Sequence, residues 1–191
     1  MLIREATAAD ADHLVRFINM AADDLPLHFW RKSVGPDGDP LTYGRERAAR
    51  ETGNFSFRNA WLAEADGAVA GCLLGYNAEM EPAPIDPDTP AIFVPLLELE
   101  NLAPGSWYLN VLATYAEFRG KGIGSALLAQ ADTIARRAGR HSISLIAEDT
   151  HHDALRLYRA KGFTEVARRP VVKGDWKVDA SEWILFTRRL G

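Results

Sequence analysis

A run of three glycines between a strand-like and a helix-like segment constrains this chain more than any other feature. The run is Arg119-Gly120-Lys121-Gly122-Ile123-Gly124. An apolar, strand-like segment precedes it at residues 107–113, and a helix-like segment follows at residues 125–131. Such a turn presents free backbone N–H groups at the positive end of the helix dipole, and glycines let an anion approach the backbone closely. The run therefore predicts a site for a phosphate or pyrophosphate group.

Two common phosphate-binding loops do not fit this run. A P-loop needs Gly-x-x-x-x-Gly-Lys-Ser/Thr, but Lys121 is followed by Gly122, so the metal-binding hydroxyl is missing. A Rossmann fingerprint needs Gly-x-Gly-x-x-Gly, but counting from Gly120 the third glycine position is Ser125. The run therefore indicates a different phosphate-bearing ligand.

The pattern that fits is Arg/Gln-x-x-Gly-x-Gly/Ala, and through it the chain resembles the GNAT superfamily of acetyl-CoA-dependent N-acetyltransferases. Arg119, Gly122 and Gly124 fall on that motif, and residues 112–118 resemble the family's Leu-Ala-Val-x-Pro-x-Tyr segment before it. A second motif, at residues 151–163, resembles the family's Asn-x-x-Ala-x-x-x-Tyr-x-x-x-Gly-Phe, with His151 where Asn is usual. Two motifs in the right order make the resemblance specific.

The resemblance implies an α/β (α+β) fold, the GNAT acyl-CoA acyltransferase fold. In that fold a central mixed, mostly antiparallel sheet is flanked by helices and splayed between its fourth and fifth strands. The residues themselves indicate a helix and a hairpin, followed by strand–helix–strand–helix–strand–strand. A capping box at Thr7 predicts the first helix, to about Ala22, and Asp66-Gly67 predicts the hairpin turn. The length predicts a single domain over residues 1–191.

Two other segments carry weaker signals. Residues 23–58 are ambiguous, with a helix predicted near residues 45–51. Residues 78–105 hold six of the ten prolines and six acidic residues but no basic one. Proline at this density predicts a long surface excursion, with a short helix at residues 96–100. The excursion either attracts a cationic amine to the acceptor side or is a solvated loop that keeps the protein soluble.

The resemblance also implies how the cosubstrate binds. Main-chain N–H groups of the loop hold the coenzyme A pyrophosphate, and the pantetheine arm pairs with a strand edge like an added β-strand. The cofactor-binding residues expected on this basis are Leu112, Ala113, Thr114, Arg119, Gly120, Lys121, Gly122, Ile123, Gly124, Ser125 and His151. The alternative is that the glycines only permit tight packing of a strand on a helix.

Tyr158 occupies the position of the family's general acid, which protonates the thiolate that leaves when an amine attacks the thioester. The alternative is a tyrosine of the apolar core. The general base stays unassigned. Tyr108 and Asn110 lie on one strand face, where they are candidate substrate residues that position a water relay. Glu98 and Glu100 either reach the site from the excursion or are solvated surface acids.

The resemblance implies an enzyme that moves the acetyl group of acetyl-CoA directly to a primary amine. The alternative is a non-catalytic acetyl-CoA-binding or sensor domain of the same fold. We expect no metal, because the adjacent His151 and His152 point apart and lack a spaced partner. The acceptor class stays open between small molecules and peptides. Dimers are common in the family, so a homodimer is compatible with the resemblance.

Composition narrows the other partners and the compartment. The net charge of −4 argues against a nucleic-acid binder. No apolar run approaches membrane length, and the first residues lack the apolar core of a signal peptide. The single cysteine, Cys72, excludes an internal disulfide and gives no sign of an oxidising compartment. We therefore expect a cytoplasmic protein.

Overall fold

The computed structural model describes all 191 residues, which form seven strands and six α-helices. The strands are β1 (Leu2–Glu5), β2 (Ala60–Ala65), β3 (Ala68–Asn77), β4 (Trp107–Thr114), β5 (Ser142–Glu148), β6 (Thr164–Pro170) and β7 (Glu182–Arg189). The helices are α1 (Ala11–Ala21), α2 (Leu25–Val34), α3 (Pro40–Ala48), α4 (Val94–Glu100), α5 (Ile123–Arg137) and α6 (His152–Ala160). None of these helices has both the length and the apolar composition needed to cross a bilayer.

The seven strands follow the order β1-β2-β3-β4-β5-β7-β6 in one sheet. Strand β1 pairs antiparallel with β2, β2 with β3, β5 with β7, and β7 with β6. Strands β4 and β5 are parallel, and their pairing is confined to residues 107–109 of β4 and residues 143–145 of β5. The sheet is therefore mixed and mostly antiparallel, as the sequence predicts. Its parallel ladder ends early, between the strands where the family resemblance implies a splay.

The structure contains a strand and a helix that sequence analysis did not predict. Strand β1 pairs with β2 along all four of its residues, which are too few to show a periodicity of their own. Helix α2 follows directly after Asp23 and Asp24, whose positive φ angles (40° and 62°) turn the chain between α1 and α2. The helix predicted near residues 45–51 lies earlier, at α3, because Asp39 caps it and Pro40 occupies its first turn.

The chain forms two compact units, and unit 1 comprises residues 1–75 and 111–128. Its helix α1 buries the apolar face expected from the sequence, with Leu14, Phe17 and Ile18 at most 2% exposed. The capping box is confirmed, because the Thr7 N–H donates to the Asp10 carboxylate at 2.8 Å. Burial of this face anchors α1 in the core of unit 1.

The hairpin between β2 and β3 also forms as predicted. Its two turn residues, Asp66 and Gly67, have φ angles of 53° and 78°. Two successive left-handed residues are characteristic of the tight turn whose twist matches that of antiparallel strands. Aspartate tolerates this conformation better than most residues, and glycine adopts it without a steric penalty.

A cluster of charged side chains connects the first strand of unit 1 to its neighbours. Arg4 donates two hydrogen bonds to the Asp10 carboxylate, both at 2.9 Å, and a third to Glu64 at 2.6 Å. Asp10 is 8% exposed. Hydrogen bonding by Arg4 is the main reason that the pKa of Asp10 falls to about 2, and hydrogen bonds from Thr7 add to it against the opposing effect of burial.

Unit 2 comprises residues 76–110 and 129–191. Strand β7 pairs with both β5 and β6, and helix α6 packs its apolar face into the same core. The largest contributors to this core are apolar residues that are at most 5% exposed: Ile143, Leu145, Leu155, Phe163, Leu185 and Phe186.

The proline-rich excursion at residues 78–105 is only partly a surface loop. Residues 79–84 are exposed, as expected, but α4 is longer than predicted and packs against β5, β6 and β7. Leu99 is fully buried, and Glu98 accepts a hydrogen bond from Arg169 of β6 at 2.5 Å. The Asn101 side chain exchanges two hydrogen bonds with the backbone of Ala83. A short apolar helix thus fixes the end of the excursion on the sheet.

We predict that Asp10→Asn destabilises the protein at neutral pH and that the loss fades in acid. The folded-state pKa of about 2 lies below the ordinary 3.8, so the carboxylate contributes stability that is complete above pH 3.8 and disappears as the pH falls towards 2. This contribution is at most about 2 kcal/mol. Urea unfolding from neutral pH down to about pH 3 measures it.

The matched control is Asp12→Asn, because the Asp12 side chain is 69% exposed and lies 3.5 Å from Arg45. We expect this change to alter the free energy of unfolding by less than about 1 kcal/mol. A difference between wild type and Asp10→Asn that stays constant across the pH range contradicts the prediction.

Candidate active site

The glycine run lies between β4 and α5, as predicted, and its backbone donors have no backbone acceptor. The Arg119 N–H donates to the Ala116 carbonyl at 3.2 Å, and the Ala126 N–H donates to the Gly122 carbonyl at 3.1 Å in the first turn of α5. No backbone carbonyl accepts the N–H groups of residues 120–125, which lie between these two bonds. A row of donors at a helix start is the geometry that binds an anion.

Two of the glycines are required by the backbone of this loop. Gly120 and Gly122 have φ angles of 76° and 80°. Residues with a side chain adopt this left-handed conformation only with strain. A Cβ added at either position would meet no atom within 4 Å. The space beside both residues is therefore open, and a ligand can reach the N–H groups from there.

Two cationic side chains flank the loop within unit 1. The Lys121 Nζ lies 3.4 Å from the Asp66 carboxylate and 5.0 Å from the centre of the Phe118 ring. The Arg119 Nε donates to the Thr114 carbonyl at 3.3 Å. Both cations are exposed, so they contribute positive potential at the loop that salt will screen.

Gly71 of β3 allows the sheet to approach the start of α5 closely. A Cβ at this position would lie 3.0 Å from the Ala113 carbonyl oxygen and 2.9 Å from the Ile123 Cγ2 atom. A side chain here would push β3 away from β4 and from the first turn of α5. The close packing that the sequence analysis considered as an alternative role for glycine thus falls on Gly71, while Gly120 and Gly122 face open space.

Tyr115, which sequence reasoning did not single out, anchors the segment between β4 and the loop. Its N–H donates to the Ala70 carbonyl at 2.9 Å. Its ring lies 4.2 Å from that of Phe17 between centroids, and its hydroxyl lies 3.0 Å from the His13 Nδ1. The residue matches the first variable position of the family segment, so no motif could have identified it.

The predicted site residues are divided between the two units. Unit 1 contains Leu112, Ala113 and Thr114, which are half-buried at the end of β4, together with the loop at residues 119–125. Unit 2 contains the remaining predicted residues, which are Tyr108, Asn110, His151 and Tyr158.

Tyr158 lies in α6 with its ring in the core of unit 2. Its ring contacts those of Phe163 and Phe186, with centroids 5.9 Å and 6.2 Å away. The side chain is almost fully buried, and burial raises the pKa of its hydroxyl well above the ordinary value of 10. Because its pKa is raised, the hydroxyl stays protonated at neutral pH and has a proton to donate.

Tyr108 is a buried residue of β4 within unit 2. Its ring centroid is 5.5 Å from that of Tyr76. Burial is the main cause of its raised pKa, and the charges of Glu100, Tyr76 and Tyr158 raise it further, whereas a hydrogen-bonding interaction with Asn110 lowers it. The predicted residues Tyr108, Asn110 and Tyr158 all lie in unit 2, as do Tyr76 and Glu100.

The two glutamates of α4 differ in their surroundings. Glu98 is ion-paired with Arg169. Glu100, the last residue of the helix, is half-buried and makes no ion pair or side-chain hydrogen bond. Burial raises the pKa of Glu100 to about 7. Sequence analysis named both residues as either site carboxylates or solvated acids, and the structure shows that neither is fully solvated.

His151 occupies the position just before the first turn of α6. Its carbonyl accepts the Leu155 N–H at 3.0 Å, but its side chain does not cap the helix. The ring Nε2 lies 3.7 Å from the Glu148 carboxylate, which is buried. The contact between His151 and the cosubstrate stays a prediction.

Comparison with known proteins identifies one family. The model of the acetyltransferase (GNAT) family matches residues 21–163, which include the glycine loop and Tyr158. Among curated proteins, no sequence matches the chain.

Solved acetyltransferase structures share the fold. One, described as an acetyltransferase, is 21% identical over 100% of both chains, with a TM-score of 0.68. A ribosomal-protein-alanine N-acetyltransferase from Brucella melitensis is 22% identical over 100% of both chains, with a TM-score of 0.61. A GNAT family acetyltransferase from Elizabethkingia anophelis with acetyl-CoA bound is 16% identical over 92% of this chain and 89% of that one, with a TM-score of 0.56. At these identities the similarity establishes the fold.

We predict that Gly122→Ala weakens coenzyme A binding about tenfold or more. The added methyl group enters the open space beside the N–H donors. Because residue 122 has a φ of 80°, which alanine adopts only with strain, the backbone of the loop also shifts. A loss of about 1.4 kcal/mol corresponds to that factor. Isothermal titration calorimetry with coenzyme A measures the dissociation constant.

Gly139→Ala is the matched control. Gly139 follows the other end of α5, has a φ of 70°, and likewise has no atom within 4 Å of an added Cβ. The two variants therefore carry similar backbone strain. Equal effects of the two changes on coenzyme A affinity would show that the loop has no special role in binding.

Proposed function

The chain belongs to the acetyltransferase (GNAT) family and is an acyltransferase, and on this premise we propose that it transfers the acetyl group of acetyl-CoA directly to a primary amine. The Brucella melitensis neighbour is described as an N-acetyltransferase, which supports nitrogen as the acceptor atom. Tyr158 is the residue that supports a catalytic role and not binding alone. Its hydroxyl is protonated and makes no hydrogen bond within the protein, so its proton is available to a leaving group.

The loop of unit 1 fits the pyrophosphate of coenzyme A. Its donors at residues 120–125 need an acceptor, and the space beside Gly120 and Gly122 admits one. In the proposed complex, Leu112, Ala113 and Thr114 offer the backbone of β4 to the pantetheine arm. The contact of His151 with the cosubstrate is part of the proposal through the family resemblance alone. The Elizabethkingia anophelis neighbour, which has acetyl-CoA bound, supports this choice of cosubstrate.

Acetyl-CoA supplies an activated acetyl thioester, and Tyr158 supplies the proton that its sulfur needs on leaving. A tyrosine hydroxyl whose pKa is raised is a weaker acid than free tyrosine, but it is protonated at every physiological pH. A thiolate departing beside it is a far stronger base than a neutral thioester sulfur. Proton donation therefore becomes favourable only as the C–S bond breaks, which is where general acid catalysis is effective.

The single cysteine of the chain is unsuited to carry the acetyl group. Cys72 lies in β3 and is fully buried, and burial raises the pKa of its thiol far above the ordinary range. Neither the thiolate nor access for a thioester is available at this position. This supports direct transfer from acetyl-CoA to the amine.

We predict that Tyr158→Phe lowers kcat by roughly 10²–10⁴-fold and leaves the affinity for acetyl-CoA nearly unchanged. Phenylalanine retains the ring contacts with Phe163 and Phe186 but removes the proton. Initial rates of thiol release from acetyl-CoA, with an acceptor amine on which the wild type is active, measure kcat. Calorimetry with acetyl-CoA measures the affinity.

Thermal unfolding of the Tyr158→Phe variant controls for damage to the core. A variant that unfolds like the wild type and binds acetyl-CoA equally well, yet keeps full activity, would remove Tyr158 from the reaction.

A further inference from the structure

The indole N–H of Trp183 is buried in unit 2 and donates to no acceptor within the protein. Trp183 lies in β7, its side chain is 4% exposed, and its Nε1 atom has no hydrogen-bond partner. Buried tryptophans usually place this N–H against an acceptor, because a buried donor that stays unsatisfied costs stability. Phenylalanine would fill the core without that cost. The donor therefore points to an acceptor that the chain itself does not supply.

The strand register puts Trp183 on the sheet face that carries the predicted substrate residues. Tyr108 of β4 is level with Ser144 of β5, and the side chains of paired residues lie on the same face. Alternation along the two strands puts Asn110 and Glu148 on that face as well. Trp183 is the antiparallel partner of Glu148. Tyr108, Asn110, Glu148 and Trp183 therefore share one face of unit 2.

The spacing of the strands leaves room for a small substrate between Asn110 and Trp183. Adjacent strands lie about 5 Å apart and rise about 3.3 Å per residue, so the Cα atoms of these two residues are roughly 12 Å apart. The ladder between β4 and β5 ends at Leu109, so no backbone hydrogen bonds hold the strands together beside Asn110. The two side chains thus face a gap that a small polar molecule can fill.

A second tryptophan holds the Trp183 indole in place. Trp176, in the connection between β6 and β7, is 4% exposed and stacks on Trp183, with ring planes 9° apart and centroids 6.1 Å apart. The connection is itself closed at its base, because the Val171 N–H donates to the Ser181 carbonyl at 2.9 Å. The indole N–H therefore has a fixed direction, which favours selective recognition over binding of any polar group.

The groups beside Trp183 define which acceptor its N–H can bind. The Glu148 side chain is 1% exposed, and the Cβ atoms of such cross-strand partners are about 5 Å apart. The Thr150 hydroxyl, two residues after Glu148, is buried without a hydrogen-bond partner. A carboxylate ligand would be repelled by the Glu148 carboxylate at this distance. A neutral carbonyl oxygen can accept from the indole without that repulsion.

We propose that Trp183 is a specificity residue of the acceptor site, whose indole N–H binds the carbonyl oxygen of an amine that carries an amide group. The assignment rests on the proposed acetyl transfer and adds to it the class of acceptor. Amino acid amides and the N-termini of peptides share this chemistry. Free amino acids are disfavoured because their carboxylate would lie beside Glu148, and simple alkylamines have no oxygen for the indole N–H.

The test compares the wild type with Trp183→Phe on matched triplets of amines. Each triplet contains an amino acid amide, the free amino acid and the primary amine that has the same side chain but no carbonyl group. We expect kcat/KM for the amide to fall roughly tenfold in the variant, because its carbonyl loses the donor but stays buried. For the amine without a carbonyl group, the change should be less than about threefold. Comparing the two proteins on each amine cancels differences in amine pKa.

The wild type alone makes two further comparisons. Its kcat/KM for the free amino acid should be at least about tenfold below that for the amide, since like charges oppose binding. A dipeptide amide with the same first residue distinguishes the two sources of the amide group. Higher kcat/KM for the dipeptide amide supports the assignment with a peptide N-terminus as acceptor, and higher kcat/KM for the amino acid amide supports it with a small molecule.

Trp107→Phe is the matched control. Trp107 is 2% exposed and belongs to the same unit, but it precedes Tyr108 on β4 and so lies on the opposite face of the sheet. We expect this change to alter kcat/KM by the same factor for every member of a triplet. Thermal unfolding and calorimetry with coenzyme A report whether both variants are folded.

A second measurement needs no variant. Wild type labelled with ¹⁵N-tryptophan and saturated with coenzyme A should give five indole N–H signals in an NMR spectrum, one for each tryptophan. Hydrogen bonding to a carbonyl oxygen moves such a signal downfield. We therefore expect the amide to shift one indole signal downfield, whereas the matched amine without a carbonyl group should not.

The outcomes separate this assignment from the proposed function. If Trp183→Phe lowers kcat/KM equally for all members of a triplet, the indole has only a structural role, although the enzyme is an acetyltransferase. Indole signals that no amide shifts also overturn the assignment, because water then satisfies the Trp183 N–H. If the wild type binds acetyl-CoA but acetylates no amine of any triplet, the proposed function fails, and the assignment fails with it.

Discussion

Helix α5 begins with backbone N–H groups that no backbone carbonyl accepts, and such a helix start needs water or an anion as its missing acceptor. The remainder of unit 1 holds that helix start in a fixed position. Gly71 lets β3 approach the first turn, and Tyr115, packed on Phe17 of α1, fixes the segment that leads into the loop. These contacts are all made by residues of unit 1 and hold the donors in place, so little conformational entropy is lost when a phosphate binds.

Burial has the corresponding role in unit 2, where it sets which groups carry protons. It raises the pKa of both Tyr158 and Glu100, but from very different starting values. The tyrosine is thereby kept protonated. The pKa of the Glu100 carboxyl group is raised to about 7, so this group gains or loses its proton near neutral pH. The same effect makes the thiol of Cys72 inert.

The sequence predicts those features that depend on a few neighbouring residues. The glycine loop, the Asp66-Gly67 turn and the capping box at Thr7 are local, and each forms as expected. Strand β1 could not be predicted, because only its pairing with β2 defines it. The difference between Glu98 and Glu100 was equally hidden, since it depends on Arg169, 71 residues further along the chain. Chemistry encoded in a motif is therefore visible in sequence, whereas burial and long-range pairing are not.

Direct transfer of acetyl from acetyl-CoA to an amine is tested most simply by mass spectrometry of wild-type reactions that contain acetyl-CoA labelled with ¹³C in its acetyl group. With an amine panel present, we expect a labelled acetyl-amine to form in equal amount to the released thiol. Without an amine, the protein itself should gain no labelled acetyl group. Stable binding of acetyl-CoA with no acetylated amine from any member of the panel would contradict the proposal, and it would favour a domain that binds the cosubstrate without catalysis.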